Sequence, residues 1–288
     1  MQIFENLLFS IGAMKAGTSW LYENLKYHPD IDTVPIKEIH YFWEKHGAFS
    51  LLTRPQRIDV AVYHLNRVLP DCAPHDVPAL LAWFAQFLSE PIDDVWLANL
   101  FRARGRKRYC AEFSNMNSVL SPEGWNHARS LTKNIRIIYT IRNPLERMWS
   151  HARFQAAILG KFDELNSWGP EQFNSLLDEG GIVAHGAYSQ VIRRLREGFS
   201  DDEYIICNYE DMRKEPLKTL RQIEEFLGLS PFDYPEGDLL FVHNETRKMT
   251  MPSEFVSTVK HHVNQELEEL QRLNIDTPLD WAMERVNA

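Results

Sequence analysis

Short apolar runs alternate along this chain with longer stretches in which apolar residues recur every three or four positions. Leu7–Ile11 is too short for a helix core and predicts a buried strand. From Thr18 to Tyr27, Leu21 and Leu25 share one helical face, and His28-Pro29 ends the segment because a residue before proline is driven out of the helical region. Ile31–Val34 predicts a second short strand, and "PIKEIHYFW" (Pro35–Trp43) an extended segment. Three further strands are expected at "RYCAEF" (Arg108–Phe113), "IRIIYTI" (Ile135–Ile141) and "EYIICNY" (Glu203–Tyr209). The unbroken apolar character of Ile135–Ile141 suits burial on both faces of a parallel sheet. Pro216 opens a helix with Leu217, Leu220, Ile223 and Phe226 on one face and Gly228 just past its end. Val256, Val259, Val263, Leu267 and Leu270 set a long amphipathic helix over Ser253–Leu273.

Strands alternating with helices imply an α/β fold: a P-loop-like, three-layer domain whose central, mostly parallel sheet of about five strands is flanked by helices. Residues 44–105 interrupt the alternation. Aromatic and apolar runs such as "LLAWFAQFL" (Leu80–Leu88) are broken there by Pro55, Pro70, Pro74, Pro78 and Pro91. They read as a helical and loop insert in a single domain spanning 1–288, with Trp83, Phe84, Phe87, Trp96 and Phe101 mostly core.

Composition narrows the classes. With 44% hydrophobic residues, 25% charged residues and a net charge of −9, the chain is an ordinary globular protein without the basic surface of a nucleic-acid binder. A local basic site for an anionic ligand remains compatible with that balance. Cys72, Cys110 and Cys207 are widely spaced and form no CxxC, so a disulfide framework or zinc site is not expected and a reducing compartment is. No basic leader precedes Leu7, and no apolar run reaches the ~18 residues of a membrane span. A soluble cytoplasmic protein is the expectation.

The candidate chemistry begins at "SIGAMKAGTSW" (Ser10–Trp20). A glycine-rich turn between a strand and a helix offers backbone N–H groups to an anion. Gly12 and Gly17 permit the tight path, Lys15 supplies charge, and Thr18 and Ser19 bring first-turn hydroxyls. A nucleotide-kinase loop has its lysine directly after the second glycine, where this chain has Thr18. The plain alternative is an ordinary turn with a solvated lysine.

"YTIRNPLERMWSHARF" (Tyr139–Phe154) supplies a second constellation. Arg142 ends a buried strand, Asn143 can cap the next helix and Pro144 suits its first position. Ser150 lies two turns on, at about 1.5 Å per residue. An arginine fork and a helix hydroxyl can converge on one phosphate. Arg136, Arg147 and Arg153 raise the local charge against Glu146. The alternative is a structural ion pair at Arg142 and a plain surface serine.

Taken together, "GAMKAGTSWLYENLKYHPDI" and "IRNPLERMWSHARF" resemble the two cofactor motifs of the sulfotransferases that use 3′-phosphoadenosine 5′-phosphosulfate (PAPS). The first is similar to the family's 5′-phosphosulfate loop, KxGTxxL, and the second to its 3′-phosphate motif, RNPxxRxxSxxxF. "KEIHYF", "HGAYSQVIRRL" and "YEDMRKEPLKTLRQIEEFLGL" extend the resemblance over most of the chain outside 44–105. It implies that Lys15, Ala16, Gly17, Thr18, Ser19 and Trp20 hold the 5′ end of PAPS, and Arg142 and Ser150 its 3′-phosphate. Arg247 and Lys248, in "HNETRKM", look like the family's late basic loop over the 3′-phosphate or adenosine. Tyr188 matches a position near the cofactor.

The implied activity is in-line transfer of the sulfonate to an acceptor hydroxyl or amine, leaving adenosine 3′,5′-bisphosphate (PAP), with Lys15 stabilising the leaving phosphate. In the carbohydrate branch, the glutamate of an E-x-H-x-F pattern is the base, so Glu38 is the first candidate and His40 the second, either as base or as support for Glu38. In an extended segment the two side chains point the same way. No metal is expected, because sulfate has an excellent leaving group here and the strand ending at Arg142 carries no magnesium-holding aspartate. Small-molecule, glycan and carrier-bound acceptors all remain open, and 44–105 is where acceptor contacts are expected. One departure stands out. Relatives of that branch often have a lysine in an E-K-[ST]-P-x-Y run, whereas this chain has Phe113 in "EFSNMN". The rival readings are a P-loop nucleotide kinase and a non-catalytic PAP- or PAPS-binding module.

Overall fold

Apolar residues on both faces make β1 (Phe4–Ser10) a central strand: Phe4, Leu7, Leu8 and Phe9 are each at most 2% exposed. It pairs in parallel with β3 (Tyr109–Phe113) on one side and β4 (Thr132–Ile141) on the other, with Leu7 opposite Cys110 and Ile135. β2 (Ile31–Thr33) pairs in parallel with β3, and β5 (Tyr204–Asn208) completes the order β2-β3-β1-β4-β5. The sheet grows from β1 first to one side and then to the other. The loop after β1 therefore lies at the switch point, where open α/β sheets bind ligands. This computed structural model describes residues 2–102, 105, 107–241, 247–278 and 281.

The helices that cover the strands are α1 (Thr18–Leu25), α2 (Tyr41–His46), α3 (Arg54–Val68), α4 (Val77–Phe87), α5 (Asp94–Leu100) and α6 (Pro122–Leu131). Beyond β4 come α7 (Pro144–Ile158), α8 (Pro170–Glu179), α9 (Tyr188–Gly198), α10 (Tyr209–Lys214), α11 (Pro216–Leu227), α12 (Glu236–Leu240) and α13 (Ser253–Arg272). The punctuation read in the sequence is used as expected. Pro216 is the first residue of α11, and Gly228 caps it with φ 63°, a left-handed conformation that glycine adopts without a Cβ penalty. β4 starts earlier than its apolar run because polar Asn134 pairs with Asn6 of β1.

The chain divides into two compact units, one formed by residues 1–11 and 22–138 and the other by 12–21 and 139–288. In the first, the insert is held by aromatic packing and one buried arginine. Phe84, Phe87, Trp96 and Phe101 are 1–2% exposed, and Trp83 stacks on Phe87 with centroids 5.5 Å apart. Arg57 is fully buried and donates to the carbonyls of Leu52, Phe87 and Ser89 and to the Glu90 carboxylate. The second unit packs α13 against α7 and α8, with Phe255 meeting Trp149 at 4.9 Å and Phe173 at 5.2 Å.

The largest departure from the sequence reading follows β2. The segment 35–40 pairs in no strand, and α2 begins at Tyr41. Glu38 and His40 both have left-handed backbones, with φ 61° and 57°. They therefore do not share one face of an extended chain. The bend is fixed from the end of β3, where the Glu38 N–H donates to the Phe113 carbonyl at 2.7 Å and the His40 N–H to Ser114 Oγ at 2.9 Å.

Candidate active site

In the second unit, the loop at 12–17 is stapled to the end of β4. The Ala13 N–H donates to the Thr140 carbonyl at 2.6 Å, while Thr140 N–H and Oγ1 both donate to the Gly12 carbonyl, at 2.7 and 2.8 Å. These bonds fix where the loop turns. Lys15 takes a left-handed φ of 69°, and its ammonium lies 4.6 Å from the centroid of the Phe154 ring on α7. Gly17, at φ 90°, has no room for a side chain: a Cβ there would come within 2.8 Å of the Tyr209 ring. Thr18 opens α1, and Trp20, 4% exposed, donates its indole N–H to the Leu239 carbonyl at 2.9 Å.

Arg142 follows β4 directly. Its Nη1 donates to the Lys15 carbonyl at 3.4 Å, its Nη2 reaches Glu146 at 3.4 Å, and its guanidinium lies 4.6 Å from the Tyr209 ring centroid. The Tyr188 hydroxyl donates to the Arg142 carbonyl at 2.9 Å, so the phenol positions backbone and does not face outward. Asn143 caps α7 as expected, its Oδ1 accepting from the N–H groups of Leu145 and Glu146, while its own N–H donates to Glu210 at 3.0 Å. Ser150 is 7% exposed on the same helix. The structure thus brings the lysine loop and the arginine–serine helix together within one unit.

Other cations serve differently. Arg147 is buried, donating to the Ile182 carbonyl at 2.5 Å and meeting His151 Nδ1 at 3.3 Å, so it contributes to packing and not to an open anion site. Burial, reinforced by the Arg147 charge, pushes His151 down to about 2 and His185 down to about 4. Both imidazoles are neutral at pH 7. Arg247 pairs with Asp163 and lies 4.1 Å from the Phe162 ring, and its carbonyl accepts from Arg153 at 3.0 Å. Lys248 lines a cavity of about 490 Å³ with Glu146, Trp149, Arg153 and Met249–Met251. The preceding residues of "HNETRKM", 243–246, lie outside the described residues.

Glu38 and His40 belong to the first unit. The Glu38 carboxylate accepts from the Asn115 N–H at 2.9 Å and lies 3.7 Å from His40 Nε2 and 4.0 Å from Lys37 Nζ. Burial lowers the His40 pKa below the ordinary imidazole value, and the Glu38 charge opposes this. Beside them sits a residue that sequence reasoning passed over. Glu112, the penultimate residue of β3, is 1% exposed and accepts hydrogen bonds from Ser114 Oγ and Asn117 Nδ2. Burial pushes its pKa up to about 8, the Glu38 charge adds to the rise, and the hydrogen bonds oppose it.

That shift has a sign that can be tested. Between the ordinary glutamate range and about 8 the folded chain keeps a proton that the unfolded chain loses, so Glu112 costs stability as pH rises through this window. Below the ordinary value both states are protonated and the cost vanishes. Urea melts are expected to show wild type losing stability between pH 5 and 8 relative to Glu112→Gln. Parallel curves for the two proteins would show that Glu112 is ionised when buried.

A lysine-bearing loop after the central strand of a parallel sheet, closed by an arginine at the head of a neighbouring helix, defines a P-loop-like α/β protein built for an anionic ligand. The chain belongs to the sulfotransferase family: the sulfotransferase domain matches residues 7–269. The fold is similar to that of a sulfotransferase from Alicyclobacillus acidocaldarius, with TM-score 0.62 and 20% identity over 96% of this chain and 98% of that one. It is also similar to the sulfotransferase domain of the Synechococcus PCC 7002 olefin synthase, with TM-score 0.52 and 18% identity over 95% of each chain. A Mycobacterium avium sulfotransferase matches with TM-score 0.51 and 13% identity, over 96% of this chain and 78% of its own. Among the described residues no helix is long and apolar enough to cross a membrane.

Proposed function

We propose that this sulfotransferase moves the sulfonate group of PAPS to an acceptor hydroxyl or amine by direct in-line transfer. The observation that carries this reading is the meeting of Lys15 and Arg142 in one unit, the arginine bonded to the carbonyl of the lysine and the lysine lying over Phe154. PAPS supplies an activated sulfonate whose leaving group is PAP. In the proposed site, Lys15 with Ala16, Gly17, Thr18, Ser19 and Trp20 holds the 5′ end, and Arg142 and Ser150 hold the 3′-phosphate. Lys248 faces the same nucleotide from its cavity, whereas Arg247 must leave Asp163 to join it. As the bond from sulfur to the bridging oxygen breaks, Lys15 donates to that oxygen. As the new bond from sulfur to the acceptor forms, Glu38 takes the acceptor's proton. Such catalysis is positioning and electrostatics.

Glu38 is favoured over His40 as the base. Its carboxylate is anchored by a backbone N–H and stays 30% exposed, while the imidazole is more enclosed. Glu38→Gln is expected to slow turnover by about a hundredfold with PAP affinity within twofold of wild type, measured with labelled PAPS and by calorimetry. Unchanged turnover would move the role to His40.

The reading includes no metal, since Lys15 supplies the positive charge that a kinase takes from magnesium. Full turnover in excess EDTA is the matching expectation. It also places the protein in the cytoplasm, consistent with free thiols at Cys72, Cys110 and Cys207. The insert contributes to acceptor binding, with Ile58, Val62, Tyr63 and Leu81 exposed on α3 and α4 as apolar surface. A titration with PAP, ADP and ATP tests the whole reading: a sulfotransferase prefers PAP, a kinase the other two. A screen of sugar, phenol, lipid and carrier-bound acceptors then separates an enzyme from a binding module.

A further inference from the structure

We infer that Glu112 is a positioning residue for the acceptor's base, fixing through Ser114 the left-handed turn that carries Glu38 and His40. The inference rests on the sulfotransferase reading, and its geometry lies wholly within the first unit. Two non-glycine residues with φ near 60°, separated by one position, store strain that the surroundings must hold in place. What holds them is the segment just after β3. Three hydrogen bonds join the two stretches: Glu38 N–H to the Phe113 carbonyl, His40 N–H to Ser114 Oγ, and Asn115 N–H to Glu38 Oε2.

The middle bond depends on which way the Ser114 hydroxyl points. A hydroxyl has one proton to give. Glu112 takes it, so Ser114 presents its lone pairs to the His40 N–H. Asn117 donates to the other oxygen of Glu112, which fixes the plane of the carboxyl group. Glu112, Ser114 and Asn117 are each at most 1% exposed, so water cannot easily replace a lost partner. The charge state matters as well. Protonated at pH 7, Glu112 adds no negative charge beside Glu38, whose carboxylate also faces Lys37 and His40. The geometry requires an acceptor oxygen facing the Ser114 hydroxyl, which a side-chain amide supplies as well as a carboxyl group.

The test uses the full chain with Ser114→Ala, Glu112→Ala and Glu112→Gln. Sulfate release from labelled PAPS, with water as acceptor, gives kcat, and calorimetry gives PAP affinity. Ser114→Ala and Glu112→Ala are expected to lower kcat by about tenfold or more, since small misplacements of reacting groups are costly. PAP affinity should stay within twofold, and Glu112→Gln, which keeps an uncharged acceptor for Ser114, should stay within threefold of wild-type kcat. NMR titration of the His40 ring gives a second readout that does not depend on turnover. In Ser114→Ala its pKa is expected to rise toward about 6.5 as the ring gains solvent, with Glu112→Gln unchanged. Wild-type kcat and an unshifted His40 in Ser114→Ala overturn the inference, as does a Glu112→Gln protein as slow as Glu112→Ala. If Glu112→Ala does not fold, Ser114→Ala, which removes a single oxygen, decides. A wild-type protein that fails to bind PAP refutes the sulfotransferase reading instead, and the His40 titration still judges the positioning role.

Discussion

Lys15→Ala is expected to lower sulfonate transfer by about three orders of magnitude, the upper range for removing one preorganised donor from a transition state. The reason lies in when its charge is needed. The bridging oxygen gains negative charge only as its bond to sulfur breaks, so the ammonium stabilises the transition state more than the bound donor. PAP affinity should therefore fall much less, by about tenfold. The loop makes this difference available. Its start is tied to Thr140 by three hydrogen bonds, and the Lys15 ammonium rests 4.6 Å from the Phe154 centroid, so little reorganisation is required. Lys15→Arg keeps the charge but changes its reach and shape, and only partial recovery is expected. Single-turnover rates with labelled PAPS measure both variants. A Lys15→Ala protein retaining more than a tenth of the wild-type rate would remove lysine from the chemistry.

Arg142→Ala is expected to weaken PAP about a hundredfold, as for losing a charged, forked hydrogen bond to phosphate. AMP, which lacks the 3′-phosphate, should bind almost equally to variant and wild type. That contrast separates reading of the 3′-phosphate from general attraction. The guanidinium is braced by the Tyr209 ring and by Glu146, while Tyr188 fixes its backbone carbonyl. Arg142→Lys retains charge without the planar fork and should recover only part of the loss. Calorimetric titrations of both nucleotides provide the comparison. Equal losses for PAP and AMP would place the 3′-phosphate elsewhere, and Lys248 on its cavity wall becomes the next position to test.

Much of the fold was legible in the sequence because it is encoded by near neighbours. Continuous apolar runs mark β1 and β4, and Asn143, Pro144, Pro216 and Gly228 punctuate helices through their own dihedral and hydrogen-bonding preferences. The loop with Lys15 and the helix with Arg142 and Ser150 were readable for the same reason, since each is a local pattern of glycine, hydroxyl and charge. The resemblance implies that they share one nucleotide, but their direct contact was not legible. The bond from Arg142 to the Lys15 carbonyl joins residues far apart in the chain.

Tertiary structure decided the conformation of the segment that carries Glu38 and His40. The sequence of 35–43 suits an extended strand, and only the carbonyl of Phe113, the hydroxyl of Ser114 and the N–H of Asn115 bend it into the left-handed turn at Glu38 and His40. Likewise, nothing local to "EFSNMN" says that Glu112 is enclosed with its pKa pushed up, because a pKa follows from burial and from charges brought by other segments. Arg247 meets Asp163 for the same reason. Backbone preferences act over a few residues, so the sequence by itself set the strands, caps and anion-binding motifs. Burial and partner choice arise only when distant segments pack, so the structure alone set which groups are enclosed and how the turn at Glu38 and His40 is held.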